Sequence, residues 1–195
     1  MKKILLLVFV ALISTTIYSQ KNKSTKTVKT SPVLAKVDNL LAEVKTGNFQ
    51  ITITENNKPK DTIIIKVADA NFKPTDVKLT AFTASGTKLY LLVWTEKTVK
   101  KTDLKTEDIT IVYSYIYEIT SKKQVFYNTQ LTNHIIEKVF LDRLKNASET
   151  QEKMRREGFE FTLNPDGSVT QKNKTQENKL VYDVAKMEYV NAKKK

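Results

Sequence analysis

Segments in which apolar and polar residues alternate, arranged in pairs around short turns, constrain the fold of this chain most strongly. The pairs are 49–53 with 62–68, 77–81 with 89–93, and 109–120 with 124–131. The connections carry turn residues: Pro59 in the first, Ser85-Gly86 in the second and Ser121 in the third. Alternating side chains point to opposite faces of a strand, and strands joined by short turns pair antiparallel. Three successive hairpins therefore predict an antiparallel sheet.

A different spacing precedes the first hairpin and predicts an amphipathic helix. Ser31-Pro32 suits a helix start, because Ser can cap free backbone N–H groups and Pro is tolerated in the first turn. Gly47 is in place for a C-cap. The apolar residues recur at three-and-four spacing. They are Val33, Leu34, Val37, Leu40, Leu41 and Val44.

The same spacing follows the third hairpin and predicts a long central helix. Its apolar positions begin at Ile135 and reach Leu144, and the segment from Ser148 to Lys153 contains none. Ser148 with Gln151 fits a capping box, so we expect a break near Asn146 and a second helical piece that ends by Gly158.

Strand signals return near the C-terminus. Phe159, Phe161 and Leu163 alternate, and the run 164–167 (Asn-Pro-Asp-Gly) is a turn from which 168–170 pairs back. The segment 180–190 fits either one more strand or a helix. The predicted fold class is α+β: an antiparallel sheet of successive hairpins, packed by the N-terminal helix and the long central helix.

The first residues predict export. Lys2 and Lys3 precede an apolar run from Ile4 to Ile13, which is too short to span a membrane as a helix, and a small, polar segment ends at Ser19. We expect cleavage after Ser19, with an uncleaved N-terminal anchor as the alternative. The predicted organisation is a signal peptide (1–19), a flexible basic linker (20–31), one α+β domain (32–190) and a basic tail (191–195). The chain has no cysteine, so the exported domain folds without disulfides.

The segment Ile17-Tyr18-Ser19-Gln20, followed by a body rich in Lys, Asn, Thr and Ile, resembles exported proteins of AT-rich bacteria of the Bacteroidota type. This resemblance implies a periplasmic or secreted location. Asp61-Thr62-Ile63 resembles the short O-glycosylation acceptor pattern of exported proteins in that group, which makes Thr62 a candidate glycosylation site.

Motifs for chemistry are sparse. The one histidine, His134, lies where the third hairpin enters the predicted central helix, and we interpret it as a capping or surface residue rather than a catalyst. Asp69, Asn71 and Asp76 hint at calcium, but their spacing is not that of an EF-hand, so a solvated loop with Asx turns is favoured. No nucleotide-binding glycine motif is present. We expect no catalytic residue, metal or cofactor.

The strand 109–120 is the most informative segment for binding. Tyr113, Tyr115 and Tyr117 share one face with apolar residues, which fits either a core covered by the central helix or an exposed surface that binds a partner. These tyrosines are the candidate partner-binding residues.

The net charge of +12 suggests polyanions, but lysines greatly outnumber the three arginines, Arg143, Arg155 and Arg156. Because Arg suits specific phosphate and base contacts, we expect no specific nucleic-acid binding and, at most, weak attraction to anionic envelope surfaces.

The expected function is that of an exported, non-catalytic protein of the cell envelope. It would bind a protein partner, as an accessory subunit of an envelope or outer-membrane assembly. Two alternatives remain open: a periplasmic chaperone or carrier of an apolar client, and a small hydrolase that uses carboxylates.

Overall fold

The computed structural model describes residues 33–69 and 71–192, and these residues form thirteen β-strands and no helix. The predicted signal peptide, the linker and the last three residues of the tail lie outside the described residues. The strands are β1 Val33–Val37, β2 Leu40–Lys45, β3 Asn48–Glu55, β4 Lys58–Val67, β5 Thr75–Ala84, β6 Thr87–Lys101, β7 Lys105–Glu118, β8 Lys123–Phe140, β9 Ser148–Gly158, β10 Glu160–Leu163, β11 Val169–Lys172, β12 Glu177–Asp183 and β13 Glu188–Asn191.

The described residues form three sheets without a crossover, and within each sheet every strand pairs antiparallel with the next. An N-terminal sheet contains β1 to β4, a central sheet contains β5 to β9, and a C-terminal sheet contains β10 to β13, each in sequence order. The antiparallel hairpins predicted from the sequence are confirmed, among them β3–β4, β5–β6 and β7–β8.

The central sheet lies between the other two, because alternate residues of β6 enter different hydrophobic clusters. Leu92 packs with Phe49 and Ile51 of the N-terminal sheet. Its neighbour Leu91 packs with Val169 and Tyr182 of the C-terminal sheet. Side chains alternate across a strand, so the central sheet is apolar on both faces, and each face contributes to one of the two cores.

Four strands of the central sheet continue past both cores. We call this part the arm; it contains residues 97–101 of β6, 105–111 of β7, 131–140 of β8 and 148–157 of β9. Neither hydrophobic cluster contains an arm residue. The ten arm residues of β8 extend about 33 Å at the usual rise of a strand. Within the described residues, the arm is a single layer of sheet.

The α+β prediction is wrong, and its N-terminal helix is the hairpin of β1 and β2. The register Val37↔Leu40 places Asp38 and Asn39 in a tight turn, and Asp38 has a φ of 49°. Apolar residues four positions apart, such as Leu40 and Val44, share a helix face, but they also share a strand face because four is even, and both side chains join the core with the central sheet. Gly47 has a φ of 76° and occupies the turn between β2 and β3, so the positive φ expected of a C-cap serves a hairpin instead.

The predicted central helix is also wrong, because its residues form β8 and β9. Leu131, Ile135 and Val139 lie on one face of β8, and Ile136 and Phe140 lie on the other. Their combined spacing resembles that of a helix, although all of them except Leu131 are β-branched or aromatic and suit a strand. A loop of residues 141–147 replaces the expected helix break, and Ser148 begins β9 instead of capping a helix.

The C-terminal region resolves the alternative left open for 180–190. The predicted hairpin around the Asn-Pro-Asp-Gly turn is present as β10 and β11. Residues 177–183 are β12, and β13 returns antiparallel to it after a turn. The strand interpretation of this segment is therefore confirmed, and the helix interpretation is wrong.

Candidate functional site

The candidate tyrosines of β7 line the face of the central sheet that meets the N-terminal sheet, which we call the tyrosine face. Tyr117 is buried in the core, and Tyr113 and Tyr115 are half-buried at its margin. The Tyr117 hydroxyl donates to Gln124 Oε1 at 3.3 Å. Burial raises the pKa of all three hydroxyls. The cover over this face is a second sheet and not the predicted central helix.

Trp94 organises the exposed margin of this cluster. Its ring stacks on Tyr113 with centroids 4.6 Å apart and meets Tyr115 edge to face at 4.9 Å. The indole Nε1 donates to Glu96 Oε1 at 3.0 Å, and Lys66 pairs with the same carboxylate at 2.7 Å. Tyr113 and Tyr115 are thus held rigidly, with only their outer edges available to a ligand. Partner binding by the three tyrosines stays a prediction.

Tyr127 is the most exposed aromatic side chain on the tyrosine face. It pairs directly with Tyr115 across β7 and β8, and 69% of its surface is accessible. The sequence reasoning missed this residue. Counting alternate positions on both strands of the third hairpin would have placed Tyr115 and Tyr127 on one face.

The tyrosine face continues onto the arm as an apolar strip. It consists of four half-buried side chains on one face of β7 and β8, of which Ile111 and Leu131 pair directly across the two strands. They are Ile109, Ile111, Leu131 and Ile135. These side chains lie beyond the N-terminal sheet, since none of them joins the cluster that the two sheets share. The arm therefore presents an apolar strip that lies outside the hydrophobic cores shared with the other two sheets.

A buried polar group lies in the middle of this strip. Asn133 is 8% exposed and pairs in register with Ile109. Its Nδ2 donates to Glu107 Oε1 at 3.0 Å, while its Oδ1 has no hydrogen-bond partner among the described residues. The hydrogen bond from Asn133, followed by one from Lys105, lowers the pKa of the Glu107 carboxyl. An acceptor buried without a donor is unusual in native proteins.

The opposite face of the arm carries the single histidine. His134 lies on β8, not at a helix entrance, with Asp108 and Met154 as its cross-strand neighbours. Its Nε2 is 2.6 Å from Glu152 Oε1 and its Nδ1 is 4.0 Å from Asp108 Oδ2. This partly exposed ring is held between two surface carboxylates on one sheet face.

The segment that contains Asp69, Asn71 and Asp76 has a simple local structure. Asp69 Oδ1 accepts the backbone N–H of Asn71 at 2.8 Å, and Asp76 lies in β5 with a φ of 52°. Within 33–69 and 71–192, no cluster of three or more His, Asp or Glu side chains has a geometry that could hold a metal ion.

Thr62 is accessible on β4, in register with Thr52. Its backbone N–H donates to Asp61 Oδ1 at 2.8 Å, and Asp61 also pairs with Lys122. The hydrogen bond from Lys122, followed by the one from Thr62, lowers the pKa of Asp61. The hydroxyl faces solvent on a rigid strand, and its glycosylation stays a prediction.

A groove of about 550 Å³ with a largely polar lining lies between β9 and the turn that joins β11 to β12. Charges of both signs line it, from Arg156, Lys172 and Lys174 to Glu157 and Glu160. Such a mixed, open lining does not resemble the apolar pockets that hold small ligands.

No protein-family model, curated protein or solved structure matches this chain. In the part of the chain that the structure describes, no helix has the length and hydrophobicity needed to cross a membrane.

Proposed function

We propose that this chain is an exported, non-catalytic protein of the cell envelope that binds a protein partner on the apolar strip of its arm. It would act as an accessory subunit of an envelope or outer-membrane assembly. The observation that carries the proposal is the strip itself, an extension of a core face beyond the sheet that covers it.

The residues of the strip fit an interface better than a free surface. Sheet faces rich in Ile and Leu are normally covered, because leaving them in water gives up the free energy of burial. Ile109 and Leu131 lie in the middle of the four-stranded arm, away from its edges. A partner laid over them would bury apolar area that the N-terminal sheet does not reach.

The rim of the strip is charged and already ordered by ion pairs. Lys105 pairs with Glu107 at 3.0 Å, and Lys153 pairs with Glu137. An apolar centre inside a polar, solvent-accessible rim is the usual anatomy of a protein–protein interface.

Two neighbouring residues of β8 give a matched test. Ile135→Asp places a charge on the strip, whereas Ile136→Asp places the same charge on the opposite face of the same strand. Both proteins would be exported in the native host, crosslinked in the intact envelope and purified. We expect stoichiometric partners to co-purify with the wild type and with Ile136→Asp, and to be lost from Ile135→Asp.

A third variant separates binding from stability. Tyr127→Ala removes a largely exposed ring next to the strip, so it should weaken partner capture while changing the melting temperature little. Equal capture by the wild type and Ile135→Asp would refute the proposal. A wild-type protein that crosslinks to no stoichiometric partner would refute it as well.

A further inference from the structure

We propose that the distal end of the arm docks on the surface of an anionic lipid bilayer. Two connections meet at this end: the turn 102–104 between β6 and β7, and the loop 141–147 between β8 and β9. The backbone N–H of Lys138 donates to the carbonyl of Leu104 at 2.8 Å, which fixes the two connections side by side. We call them together the tip. This site does not use the apolar strip, so it stands apart from the proposed partner binding.

Leucines at the tip are unusually exposed. Leu104 is 46% accessible, Leu141 61% and Leu144 80%. Single exposed apolar residues are common on proteins, but here three leucines are gathered on two adjoining connections at the end of a projecting sheet. Side chains in this arrangement can enter the interfacial region of a bilayer together.

The surrounding charge is basic and largely unpaired. Residues 97–105 contain four lysines and one aspartate, a net +3, and residues 138–145 contain two lysines, one arginine and one aspartate, a net +2. Among the described residues, Lys105 is the one cation of this set with a carboxylate partner. A basic surface around exposed apolar side chains complements the negative potential of anionic lipids.

The loop 141–147 satisfies its own backbone. The N–H of Leu141 donates to the carbonyl of Ala147 at 3.0 Å. The carboxylate of Asp142 accepts from the N–H groups of Asn146 and Ala147 at 3.0 and 2.8 Å. Backbone groups that are already paired within the loop lose no hydrogen bond to water when the tip approaches lipid. The loop therefore presents Leu144 on a pre-formed turn.

A bilayer fits the tip better than a protein does. The centres of protein interfaces are depleted of lysine, whereas six lysines lie in the stretches 97–105 and 138–145 that carry the tip leucines. Lysine stems can lie along lipid while the ammonium groups remain at the headgroups. The ammonium groups of Lys138 and Lys145 lie over the ring of Phe140, 5.5 and 5.4 Å from its centroid. The leucines are also divided between two connections and do not form one continuous face.

The test is co-sedimentation with vesicles of phosphatidylcholine, with and without phosphatidylglycerol. The protein would be the mature chain purified from a host that exports it. Leu141→Ser with Leu144→Ser should weaken binding to the anionic vesicles about a hundredfold. Lys100→Gln with Lys101→Gln should weaken it about thirtyfold and flatten its salt dependence.

Control pairs carry the same changes elsewhere. Val67→Ser with Val184→Ser removes exposed apolar side chains of the outer sheets, and Lys174→Gln with Lys186→Gln removes two charges from the C-terminal part of the chain. The proposal predicts that both control pairs bind the anionic vesicles like the wild type.

Three outcomes would overturn the proposal. The first is a wild type that does not sediment with the anionic vesicles. The second is equal weakening by the tip pairs and the control pairs, which would mean non-specific charge attraction. The third is a photo-crosslinker at Leu144 that labels protein and no lipid in the native envelope. None of these results depends on whether Ile135→Asp loses its protein partner, so the two proposals fail separately.

Discussion

Gly158 joins the arm to the C-terminal sheet, and replacing it with alanine tests this junction. Gly158 ends β9 with a φ of 79°, in register with Gln130 of β8. A Cβ at this position would lie 2.1 Å from the backbone oxygen of Thr129. Gly86 is a matched control, because its φ is 78° and a Cβ there would meet nothing within 4 Å.

The difference between the two variants isolates the steric contact. Both substitutions force alanine into the left-handed region, which costs about 1–2 kcal/mol. Gly86→Ala should lose only that amount of unfolding free energy. In Gly158→Ala the contact of 2.1 Å must open by more than an ångström, and the obstacle is backbone, not a flexible side chain. Overpacking of this kind adds about 1–3 kcal/mol, so we expect a total loss of about 2–5 kcal/mol.

Urea unfolding followed by circular dichroism measures both free energies under one condition. The midpoint for Gly158→Ala should fall clearly below that for Gly86→Ala. Because Gly158 begins the connection to β10, limited proteolysis should also cut Gly158→Ala first between β9 and β10. Equal unfolding free energies for the two variants would refute the close approach of Gly158 to β8.

Three further predictions concern buried or bonded polar groups. Burial raises the pKa of Tyr117, so its contribution to stability is present below the ordinary tyrosine pKa of about 10 and is lost above it. Urea titrations above that pH should show a smaller loss of unfolding free energy for Tyr117→Phe than for the wild type, and equal losses would contradict this. Backbone N–H donors lower the pKa of Asp142 below its ordinary value of 3.8. In an NMR pH titration, the amide resonance of Ala147 should therefore shift with a midpoint below that pH, and a midpoint at or above it would argue against the loop structure. Asn128 is 4% exposed and donates a hydrogen bond to the Phe159 carbonyl at 2.9 Å. Asn128→Ala should therefore lower the unfolding free energy by about 1–3 kcal/mol, whereas an unchanged value would mean that this hydrogen bond is not formed.

The hairpins could be predicted because their turns and alternation agree. Ser85-Gly86 has φ values of 48° and 78°, as a two-residue hairpin turn requires, and regular alternation flanks it on both sides. The turn at Asp38 was missed because neither Pro nor Gly marks it. Asp tolerates a positive φ through local hydrogen bonding, so such a turn is harder to detect in a sequence than one with glycine.

The predicted helices failed for a common physical reason. Where both faces of a strand are apolar, neighbouring residues such as Ile135 and Ile136 are both hydrophobic, and the alternation disappears. Apolar residues then recur at intervals of three and four, as on a helix. The β-branched side chains at these positions were the better guide to the strand.

The candidate site was partly accessible to sequence reasoning. Placing Tyr113, Tyr115 and Tyr117 on one face needed only a period of two, and the structure has them there. Their different burial depends on where the N-terminal sheet ends, which no local pattern reveals. The buried Oδ1 of Asn133 also depends on cross-strand neighbours, since Ile109 lies far from it in the sequence.

The arm gives the excess of lysine a structural meaning. A long single-layer sheet has two edges that could pair with other chains, and charged side chains oppose such pairing. At one edge, the segment 97–101 extends beyond β5 and carries three lysines. At the other edge, β9 carries three acidic and three basic residues between Glu149 and Glu157. Both edges are therefore charged while the faces between them keep Ile and Leu, so association is disfavoured edge to edge and remains open on the faces. This division is what a sheet needs if it is to bind a partner by its face without aggregating by its strands.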